Sequence, residues 1–411
     1  MNDFSTVIIG GGISGLTCAK YLNEKVCSFM LLEGSDTLGG RVRTDKVDGF
    51  TLDRGFQVLL TNYPEARKVL NYSDLRLKYF DSGSLIKSEK GFMKMENPFR
   101  KKMAYLTMAF SSVGSLSDKL KIRKFVNDLA EIPDEDFFKM EATDTLTFLK
   151  NYGWSNKMIN NFFKPFFGGV FLENDLVTSS NFFQFTFKQF FRGDAAIPAE
   201  GMQAIPDQIA EKISEGSIRR NARVRGIEGN QIFLEGGEIL TADRIVLATD
   251  PHVSDNLLGE TTKRIYNTTT CTYFSAESSP LKGQKFIALN PNRRGVVHNI
   301  CVPSDISPEY GNAGKSLISV STQGLGKVDE QRLTNRIRRE LFDWFGAQVN
   351  VWTHLKTYYI PESLVQYRAG MPTQSLKLSE NLYRCGDYLA YPSLNAAMQT
   401  GREVAEMIAN L

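Results

Sequence analysis

The sequence contains little of what a metal-binding, disulfide-bonded or nucleic-acid-binding protein needs. Five of the 411 residues are cysteines, scattered without a CxxC pair, and the three histidines lie far apart. This distribution argues against a zinc site or a disulfide framework and is typical of reduced thiols in a cytoplasm. A formal net charge of +3 on so long a chain disfavours a dedicated nucleic-acid binder.

Long apolar runs are also missing. No run reaches the roughly 20 residues of a membrane span, and a glycine-rich stretch stands where the apolar part of a signal peptide would lie, so we expect none. The composition, 42% hydrophobic and 23% charged, is that of an ordinary globular protein. The length accommodates two or three domains and a large core.

The informative feature is VIIGGGISGL, residues 7–16. Thr6–Ile9 is β-branched and apolar, which predicts a buried parallel strand. Gly10, Gly12 and Gly15 then fit G-x-G-x-x-G: they permit a tight turn, the approach of a pyrophosphate to the backbone, and helix packing on the strand.

A helix and a second strand follow these glycines. The helix begins at Ile13 and continues through Ser14 to about Asn23, and the free N–H groups of its first turn face the phosphates. A strand over Val26–Leu32 ends in Glu33, 18 residues beyond Gly15, where a carboxylate can accept hydrogen bonds from ribose hydroxyls. We therefore predict dinucleotide binding; a purely structural βαβ unit is the alternative.

A second glycine loop comes directly after this acid, in GSDTLGGRVRT, residues 34–44. Gly39 and Gly40 give a flexible loop, and Arg41 would offer charge-assisted hydrogen bonds to a pyrophosphate. The alternative is the polar start of a hairpin, and the Asp48-Gly49 pair does predict a hairpin turn within residues 45–53.

These stretches, with GFTLDRGFQVL, resemble the N-terminal signature of the flavin amine oxidase superfamily. That superfamily includes monoamine and polyamine oxidases, protoporphyrinogen oxidase and phytoene-type desaturases. The resemblance implies an α/β fold: a glutathione-reductase-like Rossmann domain that binds FAD, with a parallel sheet and a β-meander, and a second α+β substrate domain. No second G-x-G-x-x-G follows a strand, so we expect no separate nicotinamide site.

Two further blocks extend the resemblance. NLYRCGD, residues 381–387, precedes a predicted helix from Leu394. The resemblance makes Gly386 and Asp387 cofactor-binding residues, with Asp387 at the ribitol, and brings Asn395 and Ala396 near the isoalloxazine. Residues 222–251 predict a small antiparallel meander, in which the resemblance puts Val224 against adenine. A terminal amphipathic helix and a plain meander are the structural alternatives.

The predicted domains are discontinuous. The FAD-binding domain comprises residues 1–62, 196–262 and 375–411. The substrate domain comprises residues 63–195 and 263–374.

Residues 162–191 contain eleven of the 28 phenylalanines. Such density usually means core, and the alternative is an apolar pocket wall for a hydrophobic substrate. Phe56 and Tyr367 are the candidate substrate residues, although Tyr367 is equally consistent with a core position.

A basic stretch, residues 87–124, carries ten Lys or Arg against three acids around an apolar segment at 103–113. A solvated helix face is the default interpretation. The alternative is an interfacial anchor for peripheral membrane contact.

With FAD bound, we expect hydride removal from a hydrophobic, isoprenoid- or porphyrin-like substrate to flavin N5; no catalytic residue is identified. Amine oxidases of the superfamily place a lysine near N5, and the resemblance aligns Thr270 of NTTTCTYFSAE with it. A flavin amine oxidase that forms imine and peroxide, and a non-catalytic FAD-binding assembly factor, remain the alternatives. The oligomeric state is not indicated.

Overall fold

Two seven-stranded sheets organise the computed structural model, which describes residues 3–96, 113–292 and 294–410. The first sheet contains Phe4–Ile9, Phe29–Leu32, Ile218–Arg219, Val224–Glu228, Gln231–Leu234, Ile239–Leu247 and Leu382–Arg384. The second contains Gly83–Ser88, Gly91–Glu96, Tyr266–Ala276, Ile287–Leu289, Asn299–Cys301, Ser316–Gln323 and Thr353–Val365.

Shorter elements complete the described fold. Small sheets pair Thr44–Val47 with Phe50–Asp53, and Ala195–Ile197 with both Leu59–Leu60 and Lys78–Tyr79. The α-helices are Ile13–Glu24, Pro64–Val69, Leu116–Ala130, Thr145–Asn151, Asn156–Met158, Lys164–Phe171, Ser180–Arg192, Ala204–Ala210, Pro251–Leu258, Pro303–Ile306, Glu330–Phe345 and Leu394–Ala409. A π-turn spans Ile159–Phe163, and 3-10 turns span Phe137–Lys139, Pro308–Tyr310, Gly346–Val351 and Asp387–Leu389.

The strand Phe4–Ile9 lies at the centre of the first sheet. It runs parallel to Phe29–Leu32 on one side and to Ile239–Leu247 on the other, with Ile9 level with Leu32 and Leu247. Because the strands are parallel and in register, the residues after Ile9 and after Leu32 emerge at the same edge of the sheet. The ligand crevice of an open α/β sheet lies at this carboxyl edge.

The second strand is shorter than its sequence predicts. Val26 lies outside it, with a φ of +58° and a side chain 92% exposed, and the strand begins at Phe29. The β-branched residue instead occupies the turn that follows the first helix. The other predicted elements of this domain, including the 45–53 hairpin and the 222–251 meander, form where the patterns indicate.

The phenylalanine-rich stretch is core. Seven of its eleven rings are at most 2% exposed: Phe163, Phe167, Phe171, Phe182, Phe183, Phe185 and Phe187. Phe183 and Phe187, on the helix Ser180–Arg192, pack against Phe125 from Leu116–Ala130 and against Phe167 from Lys164–Phe171. The rings therefore hold these helices together.

Residues 97–112 of the basic stretch, which include nearly all of the apolar segment 103–113, lie outside the described residues. Where the chain is described again, the helix Leu116–Ala130 begins with a capping box between Ser115 and Asp118. Among the helices of the described ranges, none combines the length and the apolar character that crossing a bilayer would require.

Candidate functional site

The two glycine loops predicted from the sequence lie side by side. The Gly39 N–H donates to the Gly11 carbonyl at 2.8 Å, and Gly12 and Gly39 form a parallel bridge. Gly40 has a φ of +59°, and a Cβ atom there would stand 3.2 Å from the Gly12 Cα. The close approach of the loops thus depends on the missing side chains.

Gly10 and Gly15 are needed by the fold itself. Gly10 has a φ of +112°, and a Cβ on it would stand 2.6 Å from the Ala248 carbonyl oxygen. A Cβ on Gly15 would overlap the carbonyl oxygen of Gly10, which would push the helix away from the strand. These two positions fix the strand–turn–helix geometry.

Gly12 is different because the protein leaves space in front of it. The nearest heavy atom to a Cβ there would be the Gly40 Cα, 4.0 Å away. Gly12 is also the N-cap of the helix Ile13–Glu24, and no side chain caps that helix. An uncapped helix N-terminus behind an open backbone is a suitable position for a phosphate. Ile13 and Ser14, in the first turn, are themselves buried.

Glu33 lies beside this N-terminus at the edge of the sheet. Its Oε2 accepts the Gly11 N–H at 2.8 Å, and its Oε1 accepts both the N–H and the hydroxyl of Ser35 at 2.8 Å. The Glu33 carbonyl accepts the Ala222 N–H, which brings the strand beginning at Val224 next to the acid. These contacts fix the carboxylate, and Oε2, which accepts only the Gly11 N–H among them, can accept a further hydroxyl.

Arg41 and Asp387 meet across the site, although 346 positions separate them. The Arg41 Nη2 lies 2.5 Å from the Asp387 Oδ1, while its Nη1 donates to the Ser363 carbonyl at 3.0 Å and its Nε lies 3.5 Å from Asp250. The Asp387 carboxylate raises the pKa of the guanidinium above its ordinary value. Asp250 and Ser363 are contacts that the sequence did not indicate.

The end of the last strand and the start of the last helix carry the remaining predicted positions. Gly386 donates its N–H to the Thr400 hydroxyl at 3.0 Å. The Asn395 side chain is buried, accepting the Glu65 N–H at 2.9 Å and donating to the Tyr391 hydroxyl at 2.7 Å. Ala396 donates its N–H to the Ser393 cap at 3.1 Å.

Asp53 is a buried junction that sequence reasoning did not single out. Its Oδ1 accepts from the Thr44 hydroxyl at 2.5 Å and the Met202 N–H at 2.9 Å, and its Oδ2 accepts the Tyr310 hydroxyl at 2.8 Å. The Tyr273 hydroxyl donates to the Asp53 carbonyl at 2.9 Å. Burial raises the pKa of this carboxyl. The turn that follows, Arg54–Gln57, is therefore tied through Tyr273 to the second sheet.

A small cavity adjoins this junction. Its apolar walls are Phe56, Phe80, Ile197 and Pro303, and its other lining residues are Asp53, Gln57, Tyr273, Cys301 and Tyr310. Phe56 thus borders a cavity beside Tyr273 and Cys301 of the second sheet, with its ring edge-on to Phe80. Tyr367 lies elsewhere, with its ring edge-on to Phe182.

The strand Tyr266–Ala276 presents Cys271 and Tyr273, not Thr270, to this cavity side. Thr270 pairs with Thr322 on the same side as Phe274, which belongs to the core under the helix Glu330–Phe345. Thr270 therefore faces away from this cavity, because side chains alternate along a strand; its alignment with the lysine of the amine oxidases stays a prediction. Cys271 contacts the Ser319 hydroxyl at 3.2 Å, and burial raises the pKa of its thiol to about 11.

A second charged group joins the Thr44–Asp53 hairpin to the second sheet. Asp45 lies 2.9 Å from Arg54 and 3.2 Å from Lys356, and it accepts the Tyr358 hydroxyl at 2.6 Å. Burial opposes ionisation, but these hydrogen bonds outweigh it and hold the pKa of Asp45 below its usual range. Within the described residues, no group of His, Cys, Asp or Glu side chains could hold a metal ion.

The family model for flavin-containing amine oxidoreductases matches residues 13–409. Polyamine oxidase 2 of Arabidopsis thaliana is 43% identical over 51 residues, 12% of this chain and 10% of that protein. Coproporphyrinogen III oxidase of Mycobacterium tuberculosis is 34% identical over 96 residues, 22% of this chain and 21% of that protein. These matches span only a small part of either relative.

The fold is similar to that of a solved putative protoporphyrinogen oxidase from an Exiguobacterium species, with a TM-score of 0.75 and 16% identity over 100% of this chain and 99% of that one. At this identity the likeness shows the fold, and it confirms the predicted α/β class with its second domain. The family match over almost the whole sequence identifies the cofactor class. The chain belongs to the flavin-containing amine oxidoreductase family and is an FAD-dependent oxidoreductase.

Proposed function

We propose that the chain dehydrogenates a hydrophobic substrate of isoprenoid or porphyrin type. When bound, FAD supplies N5 as the acceptor of the hydride. The observation that carries the proposal is the apolar side of the small cavity beside Asp53, which Phe56, Phe80, Ile197 and Pro303 form. The cavity, of about 10 Å³, holds no more than about one water molecule, so these side chains would form one apolar wall of the substrate site and would not enclose the substrate.

The cofactor would be held by residues whose geometry suits a dinucleotide. Gly12 and the first turn of the helix at Ile13 leave room and N–H donors for a diphosphate, and Glu33 stands beside them for a ribose. Arg41 and Asp387 would bind the pyrophosphate and the ribitol in the same proposal. Val224 would contact the adenine, while the main chain near Asn395 and Ala396 would lie by the isoalloxazine.

The domain division is part of this proposal. All strands of the first sheet fall within residues 1–62, 196–262 and 375–411, which we assign to FAD. All strands of the second sheet fall within 63–195 and 263–374, which we assign to the substrate. Asp53 and its tyrosine partners would keep the Arg54–Gln57 turn in place between the two.

The amine oxidase alternative lacks its expected lysine. The strand Tyr266–Ala276 contains none, and Cys271 and Tyr273 occupy its cavity-facing positions. Lys356, on the neighbouring strand, is held by Asp45. A substrate amine would therefore meet a thiol and a phenol on this strand, which supports oxidation of a C–C unit over that of an amine.

Anaerobic mixing of the FAD-loaded protein with a polyene, a porphyrinogen or a polyamine tests this proposal, with the flavin absorption band as the readout. We expect bleaching by one of the two hydrophobic classes and none by the polyamine. Bleaching by the amine, with peroxide formed on admission of air, would establish the amine oxidase alternative. A protein that binds FAD but is bleached by no donor would be an assembly factor.

Two neighbouring aromatic residues provide a matched pair of variants. Phe80→Leu removes part of the cavity wall, whereas Tyr79→Leu alters an exposed ring of similar size. We expect Phe80→Leu to change the concentration of substrate that gives half-maximal bleaching, and Tyr79→Leu to leave it unchanged. Equal effects of the two substitutions would place the substrate elsewhere.

A further inference from the structure

Two large apolar side chains protrude from the helix Leu116–Ala130. Leu116 is 73% exposed and Leu120 is 79% exposed. They lie one turn apart, so they share one face of the helix. Isolated exposed leucines are ordinary, but a pair on one helical face at this exposure is a sign of an interaction surface.

The leucines point directly away from the protein core. The buried residues of the helix are Asp118, Ile122, Phe125 and Leu129. At about 100° per residue, the centre of that buried face lies roughly opposite Leu116 and Leu120. The helix therefore has two apolar faces, one packed on the phenylalanine core and one turned to solvent.

The orientation of the helix is fixed at its N-terminus. Asp118 closes the capping box with Ser115 and also accepts the N–H of Ser155 at 3.0 Å and its hydroxyl at 2.5 Å. Deeper along the helix, Phe125 packs against Phe187 with ring centroids 4.8 Å apart. The helix cannot rotate to bury the leucines without breaking both sets of contacts.

Cationic side chains flank the leucines. Arg123 and Lys124 are exposed on the adjoining positions of the same outer face, and Lys124 is paired with Asp128 at 2.6 Å. The four basic residues of the helix exceed its two acids, Asp118 and Asp128, of which Asp118 is buried. Two leucines offer too little area for a stable protein interface, whereas leucines bordered by cations suit an interface with anionic lipid.

We propose that the outer face of Leu116–Ala130, with Leu116 and Leu120 at its centre, docks on anionic lipid surfaces. The leucine side chains enter the headgroup region and Arg123 contacts the lipid phosphates, while Lys124 exchanges its exposed ion pair with Asp128 for a phosphate. This inference does not depend on the proposed substrate, although a membrane-dissolved substrate would gain access through such docking.

Vesicle flotation with the full-length, FAD-loaded protein tests the proposal, using phosphatidylcholine vesicles with and without phosphatidylserine. We expect binding to the anionic vesicles that weakens with salt. The double variant Leu116→Gln/Leu120→Gln should lower the lipid partition coefficient by about tenfold or more. Arg123→Gln/Lys124→Gln should remove much of the salt dependence, and the control Val351→Gln, at a side chain 78% exposed on another element, should bind as the wild type does.

Unchanged partitioning of the leucine variant, or no vesicle binding by the wild type, would overturn the proposal. So would a dimer, seen by light scattering, that the leucine variant converts to monomer, since the face would then belong to a second copy. Flavin bleaching by a detergent-dispersed substrate separates this outcome from a failure of the proposed function. All the substitutions are at exposed positions, so thermal unfolding should verify that each variant is folded.

Discussion

Gly12→Ala tests whether the glycines serve the cofactor or only the fold. The new methyl group would stand 4.0 Å from the nearest protein atom, and Gly12 has an ordinary φ of −75°, so the chain itself can accept alanine. The same methyl group would occupy the space through which a diphosphate reaches the helix N-terminus. We therefore expect the cofactor, and not the apoprotein, to be affected.

The expected changes in free energy distinguish Gly12→Ala from Gly10→Ala. For the apoprotein, a less favourable N-cap residue, at about 1 kcal/mol, is offset by the smaller entropy of the unfolded chain, about 0.4–1 kcal/mol. Lost phosphate contacts at the helix N-terminus should weaken FAD binding by about 1.5–3 kcal/mol, or roughly 10- to 150-fold in Kd. Gly10→Ala would place its Cβ only 2.6 Å from the Ala248 carbonyl oxygen, at a φ of +112°, and it should cost the apoprotein about 2–6 kcal/mol.

Calorimetric titration of FAD into the apoprotein gives the affinity for FAD, and urea unfolding of the same samples gives the free energy of unfolding. Gly236→Ala is the matched control, because a Cβ there meets nothing within 4 Å and lies far along the chain, in the meander. The control should match the wild type in both assays. The reasoning would be refuted if the Gly12→Ala variant bound FAD with wild-type affinity, or if it were as unstable as the Gly10→Ala variant.

Three other predictions concern the surrounding contacts. Tyr310→Phe leaves one oxygen of the buried Asp53 carboxylate without its phenol, so urea unfolding should show a loss of about 1–3 kcal/mol; a loss below 0.5 kcal/mol would contradict the junction. The pKa of Asp45 is depressed in the folded chain. The stabilisation that its contacts give the fold is therefore present above the pKa that Asp45 has in the unfolded chain, and it is lost as the pH falls towards the lower pKa of the folded chain. At neutral pH the wild type should be more stable than Asp45→Asn by about 1 kcal/mol, because the site is partly exposed. The corresponding difference in Tm should therefore become smaller as the pH is lowered from 5; a difference that stays constant would argue against the ion pairs. Of the five thiols only Cys27 is not buried, so a thiol reagent should modify one cysteine quickly in the native protein, and Cys27→Ser should abolish that phase.

The cofactor side of the site was predictable because its signals are local. The strand, the glycines and the helix all lie within the first 24 residues, and each glycine meets a backbone requirement that can be recognised from the sequence alone. The position of Glu33 follows from the regular length of a βαβ unit. Even there a local detail failed, since Val26 has high strand propensity but lies in a left-handed turn, where the chain must reverse between helix and strand.

The junction at Asp53 was not predictable in the same way. Its hydroxyl partners Tyr273 and Tyr310 are 220 and 257 positions away, and no local pattern marks a tyrosine as a hydrogen-bond donor to a distant acid. The facing of Thr270 and Cys271 likewise depends on strand pairing, because a shift of one residue exchanges the two faces of a strand. The phenylalanine-rich stretch was ambiguous for another reason: burial in a core and the lining of a pocket need the same residues.

The visible absorption spectrum of the purified protein, followed by calorimetric titration of the apoprotein with FAD, is the most direct test of the central claim. We predict a yellow protein that takes up one FAD per chain, with an affinity that falls when Gly12 gains a methyl group. A colourless protein whose folded apo form shows no heat of binding with FAD would contradict the account.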